Sequence, residues 1–306
     1  MYGRDLLSVS DLNAEELELV LSTALILKRD GYPRALEGQT LALLFEKPSL
    51  RTRVSFDVAM QQLGGHVVYL SQSEVGLGQR EPVSDIARVL SRYVQGIVAR
   101  TYAQQTLVDL AEFATVPVIN ALSDQEHPCQ ALADLVTIRE RKGDLRGVRI
   151  AFIGDGNNVA SSLAQAAVLQ GASFVIAAPP GYRLGEDATI KAEELATLGG
   201  GRFDAIESPR QAVQDADVVY TDVWTSMGQE HSYAQRIQAF ADYRVTPDLM
   251  SAAKPDAIFM HDLPAHRGEE IAESVIEGPQ SVVFDQAENR LHAQRAVLLL
   301  LLGEGE

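Results

Sequence analysis

One short stretch, Phe45-Glu46-Lys47-Pro48-Ser49-Leu50-Arg51-Thr52-Arg53-Val54-Ser55-Phe56, predicts a strand, a turn and a helix in immediate succession. An apolar run ends there, a proline-bearing turn follows, and Ser49 is a natural N-cap residue. The N-terminus of a helix attracts phosphate, because its N–H groups are unpaired and carry partial positive charge. The Thr52 hydroxyl and the guanidinium groups of Arg51 and Arg53 would add donors that suit phosphate oxygens. An ordinary capped helix with solvated arginines explains the stretch equally well on composition alone.

Outside this stretch, short runs rich in Val, Ile and Leu alternate with segments of helical period. This rhythm is typical of parallel α/β sheets, in which strands are buried on both faces. The predicted strands are Thr40–Phe45, His66–Leu70, Gly96–Arg100, Val116–Asn120, Arg149–Gly154, Ser173–Ala177, Val218–Asp222 and Ala257–His261. The predicted helices include Arg51–Leu63, Val83–Tyr93, Pro128–Arg141, Asn158–Gln170 and Ile190–Leu198.

The length of 306 residues favours two domains over a single core. A boundary is predicted at Lys142-Gly143-Asp144, where a helix ends and a new strand–helix series begins. We therefore expect an α/β protein with two doubly wound parallel-sheet domains, residues 1–142 and 143–286, and an active-site cleft between them. The terminal helix, about 287–302, is expected to pack back on the first domain.

Composition excludes several classes of function. The formal net charge of −16 disfavours nucleic acid and anionic lipid as partners. No apolar run approaches the roughly 18 residues that a membrane span needs. The single cysteine, Cys129, cannot form an internal disulfide, which suits a reducing compartment. These features predict a cytoplasmic protein.

Four more polar clusters follow predicted strands. Ligands favour the carboxyl ends of strands in such sheets, so clusters that recur there are unlikely to be four independent structural turns. Arg100, at the end of another strand, belongs to the same rim. The clusters are His127-Pro128-Cys129-Gln130, Gly154-Asp155-Gly156-Asn157-Asn158, the run Asp222 to Glu230, and the run His261 to Glu270.

Together these motifs resemble the aspartate/ornithine carbamoyltransferase family. The family's S-T-R-T-R signature appears as Ser49-Leu50-Arg51-Thr52-Arg53, and its H-P-x-Q motif as His127 to Gln130. The run Asp222 to Glu230 is similar to the D-x-W-x-S-M-G motif of the ornithine branch. An L-P block and Glu288-Asn289-Arg290 extend the resemblance from about residue 3 to residue 302.

The resemblance implies transfer of a carbamoyl group from carbamoyl phosphate to L-ornithine, with citrulline and phosphate as products and no metal or cofactor. The implied catalytic residues are Arg100, His127, Asp222 and Asp262. Arg100 and His127 would face the carbamoyl oxygen, Asp262 would lie beside the reacting amine, and Asp222 would help to hold the α-amino and carboxylate ends of ornithine. The residues implied to bind carbamoyl phosphate are Ser49, Leu50, Arg51, Thr52, Arg100, His127, Gln130, Asp262, Leu263 and Arg290. Those implied to bind ornithine are Asn158, Asp222, Ser226 and Met227. A homotrimer, or a multiple of trimers, is the implied assembly.

The chain departs from the family pattern at three places. Where the ornithine branch usually reads H-C-L-P, this chain reads His261-Asp262-Leu263-Pro264, so a carboxylate replaces a thiol beside the reacting amine. Such a carboxylate would accept a proton, or would hold the ammonium and shift activity to alkaline pH. Leu50 replaces a threonine in the phosphate-binding signature. Gly76-Leu77-Gly78 replaces a more polar segment that reaches a neighbouring subunit's site in relatives, and Gln79 or Arg80 is the candidate substitute.

Three alternatives stay open at this point. The acceptor could be another amine, such as aspartate, putrescine or an acylated ornithine, although Ser226-Met227-Gly228 argues against the first two. The chain could be a nucleotide-dependent oxidoreductase built on Gly154-Asp155-Gly156, although that fingerprint lacks its third glycine. It could also be a catalytically silent relative that binds carbamoyl phosphate, given Asp262 and Leu50.

Overall fold

A computed structural model describes residues 1–225 and 230–303 of the chain. The chain divides into two compact units, which are treated separately below. Unit 1 comprises Met1–Val136 and Asn289–Glu306, and unit 2 comprises Thr137–Glu288.

Unit 1 is built, within its described residues, on a parallel sheet of four strands. The strands are β1 (Thr40–Phe45), β2 (His66–Ser71), β3 (Gly96–Arg100) and β4 (Val118–Leu122), in the spatial order β2-β1-β3-β4. The helices that begin in unit 1 are α1 (Ala14–Asp30), α2 (Leu50–Gln62), α3 (Gln72–Val75), α4 (Val83–Leu90), α5 (Gln104–Phe113) and α6 (Pro128–Lys142).

Burial along the strands explains this order. Every residue of β3 is buried, and so are all residues of β1 after Thr40, whereas the edge strand β2 is only half-buried. Central strands of a parallel sheet are covered on both faces, which is why they read as continuous apolar runs. Leu6 extends the sheet by an isolated parallel bridge to Ile119, beside β4.

Unit 2 contains, within its described residues, a second parallel sheet with five strands. These are β5 (Arg149–Ile153), β6 (Ser173–Ala177), β7 (Arg202–Ile206), β8 (Val218–Tyr220) and β9 (Ile258–Met260), in the order β7-β6-β5-β8-β9. The helices that begin in unit 2 are α7 (Asn158–Leu169), α8 (Glu186–Gly199), α9 (Pro209–Val213), α10 (Tyr233–Ala239), α11 (Pro247–Met250), α12 (Glu273–Ile276) and α13 (Val283–Leu302). Short 3₁₀ turns occur at Val9–Asp11, Glu230–Ser232 and Ala241–Tyr243.

The expectation of two parallel-sheet α/β domains is therefore confirmed. The sequence prediction differs from the structure chiefly at element ends and at edges. The strand predicted over Val116–Asn120 runs instead over Val118–Leu122, because Pro117 has no N–H to give to a ladder. The edge strand β7 was not predicted, since its sequence lacks the apolar run of a central strand. None of the described helices is long and apolar enough to cross a membrane.

Candidate active site

The polar segments of unit 1 lie together because their strands end at the same level. In the sheet register, Phe45 of β1 is opposite Arg100 of β3, which in turn is opposite Leu122 of β4. The loops that follow these three strands therefore leave the same edge of the sheet. Glu46 N–H also donates to the carbonyl of Arg100 over 2.9 Å, which fastens two of these loops to each other.

The first of these loops leads into α2, whose N-cap is Ser49, as the sequence predicted. The Ser49 hydroxyl accepts a hydrogen bond from the Thr52 N–H at 3.3 Å. Leu50, the first helical residue, is 77% exposed, so its side chain adds no hydrophobic packing to unit 1. Successive residues of a helix are about 100° apart, so Arg51 and Arg53 point in nearly opposite directions. Arg53 stacks on the Tyr69 ring at 3.7 Å, so Arg51 is the better candidate phosphate ligand of these two arginines.

Arg290 joins two of the predicted carbamoyl phosphate residues. Its guanidinium donates to the Thr52 hydroxyl oxygen and to the Gln130 amide oxygen, each at 2.7 Å. Gln130 donates in turn to the Asp134 carboxylate at 2.8 Å. All four side chains are buried. The result is a fixed corner around the Arg290 guanidinium, made by residues that are far apart in the chain.

His127 and Arg100 are buried beside this corner, being 2% and 6% exposed. Burial, and after it the positive charges of Arg290 and Arg100, hold the pKa of the His127 imidazole well below its usual range. His127 is therefore neutral near pH 7, and a neutral imidazole has one N–H donor and one acceptor nitrogen. The carbonyl of His127 also accepts the N–H of Gln130 at 3.0 Å, at the start of α6.

Two neighbouring residues have roles that the sequence did not distinguish. Burial raises the pKa of the Cys129 thiol to about 12, so this cysteine is a core side chain and not a nucleophile. Lys47 lies with its ammonium 4.4 Å from the centre of the Tyr102 ring. Burial, assisted by the charge of Arg100, lowers the pKa of the Lys47 ammonium.

In unit 2 the strand ends are also level. Phe152 of β5 is opposite Tyr220 of β8, which is opposite Met260 of β9. Three polar segments leave this edge: the turn at residues 154–158, the segment that begins at Asp222, and the loop at residues 261–264. The structure thus groups the three motifs that the sequence placed in the second half of the chain.

Asn157, which directly precedes the predicted ornithine ligand Asn158, connects the first two segments. Its side-chain oxygen caps α7 by accepting the N–H groups of Val159 and Ala160, each at 3.0 Å. Its amide group donates to the Asp222 carboxylate at 2.6 Å. An Asn before a predicted helix is an N-cap signal, and that signal could have identified Asn157. Asn158 itself is half-buried at the first position of α7.

The glycines of the 154–158 turn pack against protein and not against open space. A Cβ on Gly156 would lie 2.2 Å from the backbone nitrogen of Leu184 and 2.3 Å from the carbonyl carbon of Arg183. Gly154 has a φ of 142°, a conformation that favours glycine. In a dinucleotide fingerprint, the second glycine leaves room for the pyrophosphate. Here the chain itself occupies that place, which argues against the oxidoreductase alternative.

The loop at residues 261–264 is held by a buried histidine. Nδ1 of His261 accepts the Leu263 N–H at 2.9 Å, and Nε2 lies 3.2 Å from the Glu270 carboxylate. These contacts require the tautomer with its proton on Nε2, because Nδ1 is the acceptor. Leu263 has a φ of 58°, which is strained for a non-glycine residue, and the following peptide bond to Pro264 is cis. The His261 contact supports this unusual conformation.

Asp222 and Asp262 form an acidic pair at this edge. Their carboxylate oxygens and a ring nitrogen of His261 all lie within 4.8 Å of one another. Three such groups could ligate a metal ion, as could His266, Glu269 and Glu270. However, Nδ1 of His261 already accepts the Leu263 N–H, so it has no second lone pair to offer a metal. Two adjacent carboxylates without a third available ligand suit an organic ammonium group better than a metal ion.

Two sets of predicted residues remain to be placed. Ser226 and Met227 lie outside the described residues. The segment Gly76–Arg80 folds around Leu77, which is buried in unit 1, while Gln79 and Arg80 are exposed.

The comparisons with known proteins agree with the chemistry of the polar clusters in the two units. Residues 4–140 match the family model described as the carbamoyl-P binding domain of aspartate/ornithine carbamoyltransferase, and residues 146–301 match its Asp/Orn binding domain. The anabolic ornithine carbamoyltransferase of Pyrococcus furiosus is 54% identical over 99% of this chain and 98% of its own length. The ornithine carbamoyltransferase of Bacillus subtilis is 49% identical over 100% of this chain and 96% of its own. A solved structure of the Pyrococcus furiosus enzyme superposes with a TM-score of 0.96, covering 100% of this chain and 99% of that one.

Proposed function

Since the chain belongs to the aspartate/ornithine carbamoyltransferase family, we propose that it transfers the carbamoyl group of carbamoyl phosphate to the side-chain amine of L-ornithine. The products are L-citrulline and inorganic phosphate, and the reaction belongs to arginine biosynthesis. The observation that carries the proposal is the chemistry of two polar clusters, one in each unit. Unit 1 has a buried cationic corner at Arg290, and unit 2 has the acidic pair Asp222 and Asp262.

The cationic corner suits the anionic substrate. The N-terminus of α2 supplies backbone N–H groups, and Arg51 and the Arg290–Thr52 pair supply charge and donors. The protein as a whole carries a formal charge of −16, so a phosphate-bearing substrate needs such a local positive site. We propose that Ser49, Leu50 through its backbone, Arg51 and Thr52 hold the phosphate group.

The carbamoyl group requires donors for its oxygen and acceptors for its NH2 group. Arg100 and the neutral His127 are the proposed donors to the oxygen, where negative charge develops during attack. Removing one such donor typically costs about 2.7–4 kcal/mol in the barrier. Gln130 and the Leu263 carbonyl are the proposed acceptors of the NH2 group.

The acidic pair suits the second substrate. Asn158, Asp222, Ser226 and Met227 are proposed to hold the α-amino and carboxylate ends of ornithine, and Asp262 is proposed to lie beside its side-chain amine. After losing a proton, the side-chain nitrogen attacks the carbonyl carbon and a C–N bond forms. The C–O bond to phosphate then breaks, inorganic phosphate leaves, and the remaining extra proton on nitrogen passes to phosphate or solvent. Orientation of two reactants in this way supplies much of the acceleration.

Two further proposals concern the assembly and the compartment. The chain is proposed to form a homotrimer or a multiple of trimers in the cytoplasm. The exposed residues Gln79 and Arg80 would then reach the neighbouring subunit's phosphate site. Light scattering coupled to size-exclusion chromatography should give a multiple of three times the 33.3 kDa chain mass. A monomer that retains full activity would contradict both the trimer and the role of this loop.

The experiment that tests the activity is a citrulline assay with purified protein and carbamoyl phosphate over pH 6 to 10. L-Ornithine, L-aspartate, putrescine and N-acetyl-L-ornithine serve as parallel acceptors. We expect product from ornithine only. Carbamoylation of another amine would change the acceptor, and no product from any amine would refute the assignment. In that second case, measurable binding of carbamoyl phosphate would identify a silent relative.

A further inference from the structure

We propose that Arg236 is a positioning residue for ornithine, because it fastens together the two loops that carry Asn158 and Asp222. The inference rests on the proposed function, since it concerns the residues that would bind the second substrate. Arg236 belongs to α10, which follows both loops in the chain and contributes none of the residues assigned to either substrate.

Arg236 contacts both loops: it bonds to Asp155 before Asn158 and to Trp224 after Asp222. Its guanidinium Nη1 donates to the Asp155 carboxylate at 2.7 Å, in the turn that leads to Asn158. The same nitrogen donates to the carbonyl of Trp224 at 2.7 Å, two residues after Asp222. One side chain therefore spans both segments, in addition to the direct bond between Asn157 and Asp222.

The ion pair is shielded from solvent. The side chain of Arg236 is 11% exposed and that of Asp155 is 9% exposed. Most surface ion pairs contribute little, because water and side-chain entropy offset their attraction, but a shielded pair holds its geometry more firmly. Losing one partner leaves the other charge buried without compensation.

Aromatic rings hold the guanidinium in place from the other side. Its central carbon lies 4.9 Å from the centre of the Tyr182 ring. Tyr182 packs on Phe240 with ring centres 4.9 Å apart, and Phe240 stacks on Trp224 at 5.7 Å. Lysine cannot reproduce the planar contact and the two hydrogen bonds together, although it keeps the charge.

Arg236 also keeps two carboxylates from competing for the same cation. Burial raises the pKa of the Asp155 carboxyl, while the Arg236 charge opposes that rise and the charge of Asp222 adds to it. Asp155 and Asp222 are thus close enough to repel each other. The Arg236 guanidinium thus compensates the charge of Asp155, so that Asp155 does not compete with the pair Asp222 and Asp262 for an ammonium ligand.

The test compares Arg236→Met, Arg236→Lys and Asp155→Asn with the double variant Asp155→Asn/Arg236→Met. Misplacing reacting groups by about 1 Å can cost on the order of 10²-fold in rate. We expect Arg236→Met to raise the KM for ornithine about tenfold or more, with a smaller rise for Arg236→Lys. The KM for carbamoyl phosphate should stay within about twofold of wild type. The double variant should be no worse than the more impaired single variant, because both changes break one ion pair.

Arg210→Met is the matched control. Arg210 also lies in unit 2 and pairs with a carboxylate, Asp248, at 2.9 Å, but both side chains are more than half exposed. This variant should leave both KM values unchanged. Melting temperatures of all variants separate a positioning role from a loss of folded protein.

Two results would overturn the inference: an ornithine KM that stays at the wild-type value in folded Arg236→Met and Asp155→Asn, or KM values for both substrates that rise together. If Arg236→Met does not fold, Arg236→Lys and Asp155→Asn carry the same comparison. Failure of the proposed function would look different, because the wild-type protein itself would then form no citrulline.

Discussion

Replacing Asp262 by cysteine should move the pH dependence of the reaction downward, because it removes the carboxylate that is proposed to lie beside the reacting amine. The carboxylate oxygens of Asp222 and Asp262 lie within 4.8 Å of each other, so an ammonium held between them contacts both. A carboxylate stabilises the charged form of the amine and so raises its pKa. A raised pKa leaves less neutral amine at pH 7, and only the neutral amine attacks.

The size of the effect follows from the geometry. Two unit charges about 4 Å apart, at an effective dielectric constant of about 20, interact with roughly 4 kcal/mol. At about 1.36 kcal/mol per pKa unit this amounts to about three units as an upper bound. Asp262 is 13% exposed, so solvent screens part of the interaction. We therefore expect the rising limb of kcat to move down by about one to two pH units in Asp262→Cys.

The assay is kcat for citrulline formation from pH 6 to 10, since kcat reports groups in the enzyme–substrate complex. Asp262→Asn provides a second variant without the carboxylate charge, and Asp248→Asn controls for a charge change at an exposed site. A wild-type profile in both Asp262 variants would refute the electrostatic reasoning. A uniform loss of rate in Asp262→Asn, without a pH shift, would instead identify Asp262 as the base that accepts the proton.

Three other outcomes can be checked in unit 1. Thr52→Val should raise the KM for carbamoyl phosphate and lower the free energy of unfolding by about 1–3 kcal/mol, because a buried N–H of Arg290 loses its acceptor. Steady-state kinetics and thermal unfolding test this, and Thr115→Val at an exposed position is the control. Burial lowers the pKa of His127, so wild type should lose stability relative to His127→Gln as the pH falls below about 6.5, by about 1.4 kcal/mol per pH unit. Calorimetric melting of both proteins at pH 5.5 and 7.5 tests this. An equal change in the melting temperature of wild type and variant between the two pH values would show that the reasoning is wrong. Burial raises the pKa of the Cys129 thiol to about 12, so Cys129 should resist iodoacetamide in the native protein at pH 8 and react after denaturation. Rapid labelling of the active enzyme would contradict this.

The repeated elements of the fold were predictable because local rules determine them. The helix predicted over Arg51–Leu63 is observed over Leu50–Gln62, since the Ser49 cap marks its start. Central strands such as β1 and β3 were found from their apolar runs, which burial on both faces requires. β7 was missed for the converse reason, since an edge strand with Arg202 and Asp204 among its five residues carries no such run.

The contacts of the candidate site were harder to predict from the sequence, because they join distant parts of the chain. Nothing near Arg290 in the sequence indicates that it bonds to Thr52 and Gln130, which precede it by 238 and 160 residues. The role of Arg290 in binding carbamoyl phosphate is implied by the family resemblance and not by a local sequence pattern. Asn157 is different, because its capping position before a predicted helix is readable from the sequence.

The loop at residues 261–264 shows why a change at position 262 is compatible with the fold. The bonds that hold the loop come from its neighbours: the His261 ring accepts the Leu263 N–H, Glu270 lies at the other ring nitrogen, and the Gln286 side chain accepts the His261 N–H at 2.9 Å. These three contacts come from His261, Glu270 and Gln286, so a substitution at position 262 leaves the groups that make them in place. We therefore expect Asp262→Cys and Asp262→Asn to melt near the wild-type temperature, so that any change in their pH profiles reports chemistry and not damage to the fold.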